Sequence, residues 1–298
     1  MAGLVPVAGA TDRAPAPIRA AKWVPYALLL PGFAWLAIFF VLPVARLVEF
    51  SFYQGTFEEG FNAISPLWTN YIDSWNQYDH QILRSLRYAF LATLFCLIIG
   101  YPLAYAIAIK GGRWKAIMLV GVIAPFFTSF LVRTYAWKAI LGDSGPLVGT
   151  LKALHLMGSD GRLLATEIAV VAGLTYNFIP FMVLPLYASL EKMDTRLLEA
   201  AADLNHGPVR TFLRVTLPLS LPGVVAGTLL TFIPAAGDYV NAELLGNPNT
   251  QMIGKVIQSK FLVTNEYPIG AALSFVLMAI ILIMVFVYIR RAGTDEVV

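Results

Sequence analysis

The sequence predicts an all-α integral membrane protein with six transmembrane helices. The 298-residue chain is 58% hydrophobic and only 13% charged, whereas soluble globular domains usually have about 45–50% apolar and about 25% charged residues. The apolar residues also gather in long stretches without charged side chains. As helices, these stretches are long enough to cross the roughly 30 Å hydrocarbon core of a bilayer. We therefore expect lipid to surround most of the chain.

Five charge-free stretches have the length of a spanning helix, which is about 20 residues. A sixth stretch, Ala116 to Val132, is shorter. We expect it to continue to Leu141, with Arg133 and Lys138 reaching toward the lipid headgroups. The five longer stretches are Trp23 to Ala45, Tyr88 to Ile109, Ile168 to Leu190, Val215 to Gly237 and Tyr267 to Ile289.

The distribution of Lys and Arg predicts the orientation, since these residues favour cytoplasmic segments. If both termini lie inside, the inner segments hold the majority of the 21 Lys and Arg residues. Residues 1–22 have no apolar segment of a signal peptide, and we interpret them as a disordered cytoplasmic tail. The net charge of +3 is too small to indicate a nucleic-acid partner.

The predicted inner loop between spans four and five, together with the start of span five, reads EKMDTRLLEAAADLNHGPVRTFLRVTLP. Asp194 suits a helix N-cap, because its carboxylate accepts hydrogen bonds from free amides of the first turn. Apolar residues then recur at helical spacing. Asn205 stands where a residue with positive φ ends a helix, and Pro208 suits the first position of a second segment. We predict a short helix on the cytoplasmic face.

The same loop resembles the EAA motif of membrane subunits in binding-protein-dependent ABC importers. Glu199, Ala200 and Ala201 match the start of that motif, and Val215, Leu217 and Pro218 fall at its expected spacing. Asn205 occupies the motif's glycine position, where Asn is the next most tolerant residue. Gly207, two residues later, adds flexibility.

This resemblance extends over about residues 23–290 and implies the ABC type I importer permease fold. It divides the chain into four segments, namely the tail 1–22, the first transmembrane helix with a long outer loop at 23–84, the permease domain at 85–290, and a cytoplasmic tail at 291–298.

The inner loop that carries the EAA-like motif would form a coupling helix that docks on a cytoplasmic ABC ATPase dimer. The alternative is an amphipathic helix on the lipid surface.

Three further stretches resemble spermidine/putrescine permeases. They are PFFTSFLVRTYAWKAIL from Pro125, FIPAAGDYVNAELLG from Phe232, and the segment from Asn249 to Phe261. The resemblance implies a bacterial inner-membrane permease for polyamines, with a second related permease chain and an extracytoplasmic polyamine-binding protein as partners. Close relatives carry other solutes on much the same scaffold, so another small solute is the alternative cargo.

Polyamines are flexible polycations, so their path should offer carboxylates and aromatic faces. Candidates near the predicted outer ends of spans three and five are Tyr135, Trp137, Asp238, Tyr239 and Glu243. The alternative makes the two acids solvated loop residues and the aromatic residues an interfacial belt.

The outer loop from Arg46 to Gln81 is long, and we single out four of its aromatic and four of its acidic residues. It could seat the external binding protein or form a packed lid. The residues are Trp68, Tyr71, Trp75 and Tyr78, and Glu58, Glu59, Asp73 and Asp79.

The sequence contains no phosphate-binding Gly-x-x-x-x-Gly-Lys-Ser/Thr motif and no metal-ligand spacing among its three His residues. We therefore expect no catalytic site, cofactor or metal in this chain, with ATP and Mg bound by the partner ATPase. The span centres contain no ionisable residue, which disfavours a secondary transporter. A membrane enzyme or a scaffold is disfavoured because paired catalytic groups are missing.

Overall fold

The computed structural model describes residues 24–55, 60–63 and 66–292. The predicted tail at 1–22, Glu58, Glu59 and residues 293–298 lie outside this description. Contacts divide the chain into two units, Met1–Leu47 and Val48–Val298.

The described part of the first unit, from Val24 on, is a single helical run. Helix α1, Val24–Leu36, continues through a π-helical turn, Ala37–Val41, into helix α2, Leu42–Phe50, which extends into the second unit. Together they provide one apolar helix, Tyr26–Phe50, that is long enough to cross a membrane. Pro31 lies inside α1, and proline is tolerated in spanning helices more readily than in soluble ones.

The second unit begins with a small hairpin and then a long helix. Strand β1, Tyr53–Gln54, pairs antiparallel with strand β2, Asn62–Ala63. Helix α3, Thr69–Tyr105, follows. The Asn70 amide of α3 donates hydrogen bonds to the carbonyl oxygens of Ser51 and Tyr53, at 2.9 and 2.7 Å. This side chain ties the hairpin to the start of α3.

Helix α3 corrects the extent of the predicted outer loop, because residues 69–81 are helical rather than irregular. The buried residues of this first part are small and polar, such as Asn70 and Ser74. A search for apolar periodicity therefore misses a helix that packs through polar side chains. The loop proper is confined to the segment before Thr69.

The remaining helices follow in chain order. They are α4, Lys115–Ile123; α5, Phe130–Leu141; α6, Pro146–Ala153; α7, Glu167–Glu191; α8, Arg196–Asp203; α9, Pro208–Thr211; α10, Leu217–Leu219; α11, Leu221–Ala236; α12, Val240–Leu245; α13, Ile253–Leu262; and α14, Tyr267–Ala292. Shorter turns connect several of them. These are π-helical turns at Ala106–Lys110 and Phe212–Thr216, and 3-10 turns at Gly112–Trp114, Ala124–Phe127 and Pro248–Thr250.

The predicted number of six spans agrees with these elements when each bent helix pair counts as one span. Four helical segments of the described chain are long and apolar enough to cross a membrane by themselves. Two further pairs meet the criterion together, Gly112–Phe127 with Phe130–Ala153 and Pro208–Leu219 with Leu221–Ala236. The four segments are Tyr26–Phe50, Thr69–Lys110, Glu167–Glu191 and Tyr267–Arg291.

The third span differs from the continuous helix that we predicted. Its two parts meet at 94°, because Thr128 and Ser129 adopt extended ψ angles of 143° and 136° and interrupt the helix. Arg133 consequently turns inward and is only 7% exposed. The expectation that Arg133 reaches toward the headgroups is wrong, whereas Lys138 is exposed.

The core of the second unit lies where α3, α7 and α11 pack together, around side chains such as Cys96, Leu174 and Met182. Lipid is as apolar as this core, so close packing rather than water exclusion stabilises such contacts. Gly223 of α11 shows the closeness: a Cβ there would lie 2.8 Å from the carbonyl oxygen of Pro185 in α7. Only glycine allows the two backbones to approach in this way.

Candidate functional site

The predicted loop helix is present as α8. Its C-terminal end has the predicted geometry, whereas its N-cap residue is Thr195, one position after the predicted Asp194. The Asp194 carboxylate accepts a hydrogen bond of 3.0 Å from the backbone N–H of Arg196. Asn205 has a φ of 55°, and its N–H donates to the carbonyl of Ala202 at 2.9 Å. The positive φ at Asn205 ends the helix and turns the chain toward α9, which begins at Pro208 as predicted.

One face of α8 is available for contact. Ala201 is buried, whereas Glu199, Ala200 and Ala202 are exposed. Beyond the helix, Leu204 has an exposed fraction of 73%. Exposed apolar side chains beside small residues are typical of a surface that binds protein or lipid.

Helix α8 rests lightly on the bundle, since a cavity lies on each side of it. A cavity of about 930 Å³ separates Ala202 and His206 from Tyr105 of α3. Another of about 690 Å³ lies beside Asp194 and Leu197. The helix packs on α9 and on the π-helical turn Phe212–Thr216.

That turn connects α8 with the start of span five and with α3. Phe212 packs edge-on against Tyr101 of α3, with ring centroids 5.3 Å apart. The hydroxyls of Tyr101 and Ser220 lie 2.6 Å apart in a hydrogen bond. Leu217 is partly buried and Pro218 is exposed in α10, while Gly207 has an extended ψ of 162° before α9. These contacts connect α8 continuously with α3 and with the start of span five, so a displacement of α8 can be transmitted to both.

The five predicted path residues lie on or beside α5 and α12, and these two helices pack together. Tyr135 and Tyr239 are 56% and 44% exposed. Trp137 packs on Tyr176 of α7, with centroids 5.3 Å apart. Glu243 forms an ion pair with Lys255 of α13.

Asp238 differs from the solvated loop acid that the alternative interpretation required. It lies between α11 and α12 and is only 8% exposed. Its carboxylate accepts a hydrogen bond of 2.8 Å from the backbone N–H of Asn241 at the start of α12. Burial raises the pKa of Asp238 to about 6, although hydrogen bonds from Asn241 and Ala242 act in the opposite direction. The Asp238 carboxylate thus holds the first turn of α12 in position.

A chain of buried polar side chains, which the sequence did not predict as a site, joins three helices. The Asn177 amide of α7 donates to Asn241 Oδ1 of α12 at 3.0 Å and to Thr134 Oγ1 of α5 at 3.3 Å. Asn177 is 1% exposed and Asn241 is fully buried. The sequence did contain a signal: an amide inside a charge-free span is unfavourable in lipid unless it has a partner.

Arg133 lies next to this chain. Its guanidinium carbon is 5.6 Å from the ring centroid of Phe126 and 5.7 Å from that of Phe130. Arg133 and Asn177 line the same cavity of about 390 Å³. Asn177 is ten residues from the start of α7, roughly 15 Å along the helix, and therefore near its middle. The expectation that span centres contain no ionisable residue is thus wrong for Arg133.

Comparison with known proteins identifies a matching family and similar sequences. Residues 21–292 match the family described as "Binding-protein-dependent transport system inner membrane component". The spermidine/putrescine transport system permease protein PotB of Haemophilus influenzae is 39% identical over 259 residues, which cover 87% of this chain and 90% of that protein. PotB of Escherichia coli is 37% identical over 260 residues, covering 87% and 94%.

Two solved structures share the fold at low sequence identity. A chain of a bacterial ABC transporter that imports the acidic polysaccharide alginate superposes with a TM-score of 0.68 at 17% identity, covering 92% of this chain and 96% of that one. A chain of the MetNI methionine ABC transporter gives a TM-score of 0.55 at 16% identity, covering 77% and 97%. These likenesses establish the permease fold and carry no information about cargo.

Proposed function

Because the chain belongs to the family of binding-protein-dependent transport system inner membrane components, we propose that it is the permease subunit of an ATP-driven importer of polyamines. The observation that carries the cargo assignment is the 39% identity with a spermidine/putrescine permease over 90% of that protein's length. The shared length includes the resembling stretches around Arg133, Asp238 and Lys255. An ABC permease for another small solute is the alternative.

Transport would proceed by alternating access, with ATP hydrolysed by a separate cytoplasmic ATPase dimer. We propose that α8 docks on that ATPase through Glu199, Ala200 and Ala202. The small side chains allow two backbones to approach closely, and Glu199 can pair with a basic group. ATP-driven closure of the dimer would then push α8 against the Phe212–Thr216 turn, and from there act on α11.

The remaining partners follow from the same proposal. A second related permease chain completes the path, and an external polyamine-binding protein delivers cargo at the face opposite α8. Both termini and α8 then lie on the cytoplasmic side of the inner membrane. The exposed Tyr135 and Tyr239 would receive the cargo's ammonium groups through cation–π contacts, while the buried Asp238 holds α12 in place.

Uptake into vesicles tests the proposal. The complex of this chain with its second permease, ATPase and binding protein is reconstituted, and labelled spermidine is measured with and without ATP on the ATPase side. We expect ATP-dependent accumulation that putrescine reduces and unrelated solutes do not. Accumulation driven by an ion gradient without ATP would refute the ATP-driven mechanism, and competition by other solutes alone would refute the cargo.

A further inference from the structure

The cavity beside Arg133 is built largely from aromatic rings. Phe126, Phe130, Phe178 and Phe181 line it together with Asn177. The rings contact one another: Phe126 meets Phe181 edge-on at 5.3 Å, and Phe130 lies 6.3 Å from Phe178. The faces of such rings attract cations, and the attraction increases where water is excluded.

The cavity already holds a cation, because the Arg133 guanidinium lies over Phe126 and Phe130. Its hold is incomplete, however. Nε and Nη1 of Arg133 are buried and have no hydrogen-bond partner among the described residues. A buried charge without a counter-charge or hydrogen bonds is unfavourable. The rings of Phe126 and Phe130 are therefore the partners that the described residues give this guanidinium.

Asn177 offers the cavity a hydrogen-bond acceptor that Arg133 does not use. Nδ2 of Asn177 donates to Thr134 and to Asn241, which leaves Oδ1 as the free end of the amide. Its Oδ1 atom is buried and has no partner in the described part of the chain. An ammonium group in the cavity would find both aromatic faces and this oxygen, which is a more complete site than the guanidinium now has.

The backbone next to the cavity provides an entrance for a ligand. The helix break at Thr128 and Ser129 precedes Arg133 by only a few residues. Phe127, which also lines the cavity, is 86% exposed and marks its mouth. An extended break of this kind can absorb the change in φ and ψ that moves the start of α5.

We propose that this cavity is an internal binding site for one primary ammonium group of the cargo, and that Arg133 occupies it as a tethered competitor when no cargo is bound. The proposal rests on the polyamine cargo proposed above. Two cations do not share one aromatic site, so an arriving ammonium group displaces the guanidinium. In the empty protein, Arg133 keeps small inorganic cations out of the same position.

Binding of labelled spermidine to the purified complex, without the external binding protein, tests this inference. Arg133→Met removes the competing charge and keeps an apolar side chain of similar length, whereas Arg133→Lys keeps the charge. If Arg133 fills the site about nine-tenths of the time, its removal tightens binding on the order of tenfold. Lys138→Met, on the exposed face of the same helix, is the matched control and should bind as the wild type does.

A second variant shows whether a gain in affinity comes from the cavity itself. Arg133→Met combined with Asn177→Leu removes the acceptor as well, and we expect it to lose the gain in affinity. If the wild-type complex takes up spermidine but the assembled Arg133→Met complex binds it no more tightly, the cavity proposal is wrong and the proposed cargo stands. If the wild-type complex takes up no polyamine, both the proposed cargo and the ammonium site are wrong.

Discussion

The Asn177 side chain donates a hydrogen bond of 3.0 Å to Asn241 Oδ1, which joins the middle of α7 to the buried face of α12. Both residues lie in an apolar environment where an unmade hydrogen bond is costly. We expect Asn241→Ala to destabilise the protein by about 1 kcal/mol or more, measured as a lower melting temperature in detergent. The control is Asn249→Ala, at an exposed position. Equal melting temperatures for the two variants would contradict the role of this bond.

A second prediction concerns the contact of α11 with α7. A Cβ at Gly223 would lie 2.6 Å from Ser189 Cβ and 2.8 Å from the Pro185 carbonyl oxygen. Gly223→Ala should therefore destabilise the bundle by about 1–3 kcal/mol. Gly121→Ala, in a helix where the new Cβ meets nothing within 4 Å, should be neutral or slightly stabilising. Thermal unfolding of both variants checks the difference, and a stable Gly223→Ala protein would show that the helices can separate freely.

A third prediction concerns the end of α8. Asn205 has a φ of 55°, a conformation that costs a β-branched residue about 1–2 kcal/mol. Asn205→Val should fray α8 and increase hydrogen exchange at the His206 amide, which donates to the Ala201 carbonyl. Asn205→Gly should leave the exchange close to that of the wild type. If Val and Gly exchange alike, the positive φ does not control the helix end.

The sequence alone predicts some of these structural features and not others. Asn205 and Pro208 mark helix boundaries through local preferences, and charge-free length located five of the six spans. The position of Arg133 depends on the break at Thr128 and Ser129, which turns its side chain over the rings of Phe126 and Phe130, and no apolar or charge pattern reveals that break. The first part of α3 was missed because its buried face is polar, and Asn177 was missed because it was considered only as part of an apolar span.

A fourth prediction follows from Asp238, whose pKa is raised to about 6 by burial. A carboxyl group with a raised pKa is held more easily in its neutral form in the folded state. Its contribution to stability therefore falls as the pH rises from about 4 to about 6, by up to about 3 kcal/mol. Asp238→Asn should remove this dependence in melting curves recorded from pH 4 to pH 7.5, and should lower uptake of a polycation without disturbing assembly.

Asn249→Ala, at an exposed position without a titratable group, provides the control for this prediction and should keep the wild-type pH dependence. If the melting curves of Asp238→Asn retain the wild-type slope, the carboxyl group does not titrate as proposed. Wild-type uptake by the variant would limit Asp238 to a structural role.

Cross-linking at α8 tests the central claim, that a cytosolic helix around Glu199 connects this permease to an ATPase. Cys96, the one cysteine of the sequence, is fully buried, so Ala200→Cys introduces an accessible thiol on the exposed face of α8. With a short thiol-to-amine cross-linker added to the assembled complex, we expect a product of this chain with the ATPase subunit. Asp160→Cys, expected on the opposite side of the membrane, should give none. A product only from Asp160→Cys, or labelling of Ala200→Cys solely by lipid-soluble reagents, would contradict the account.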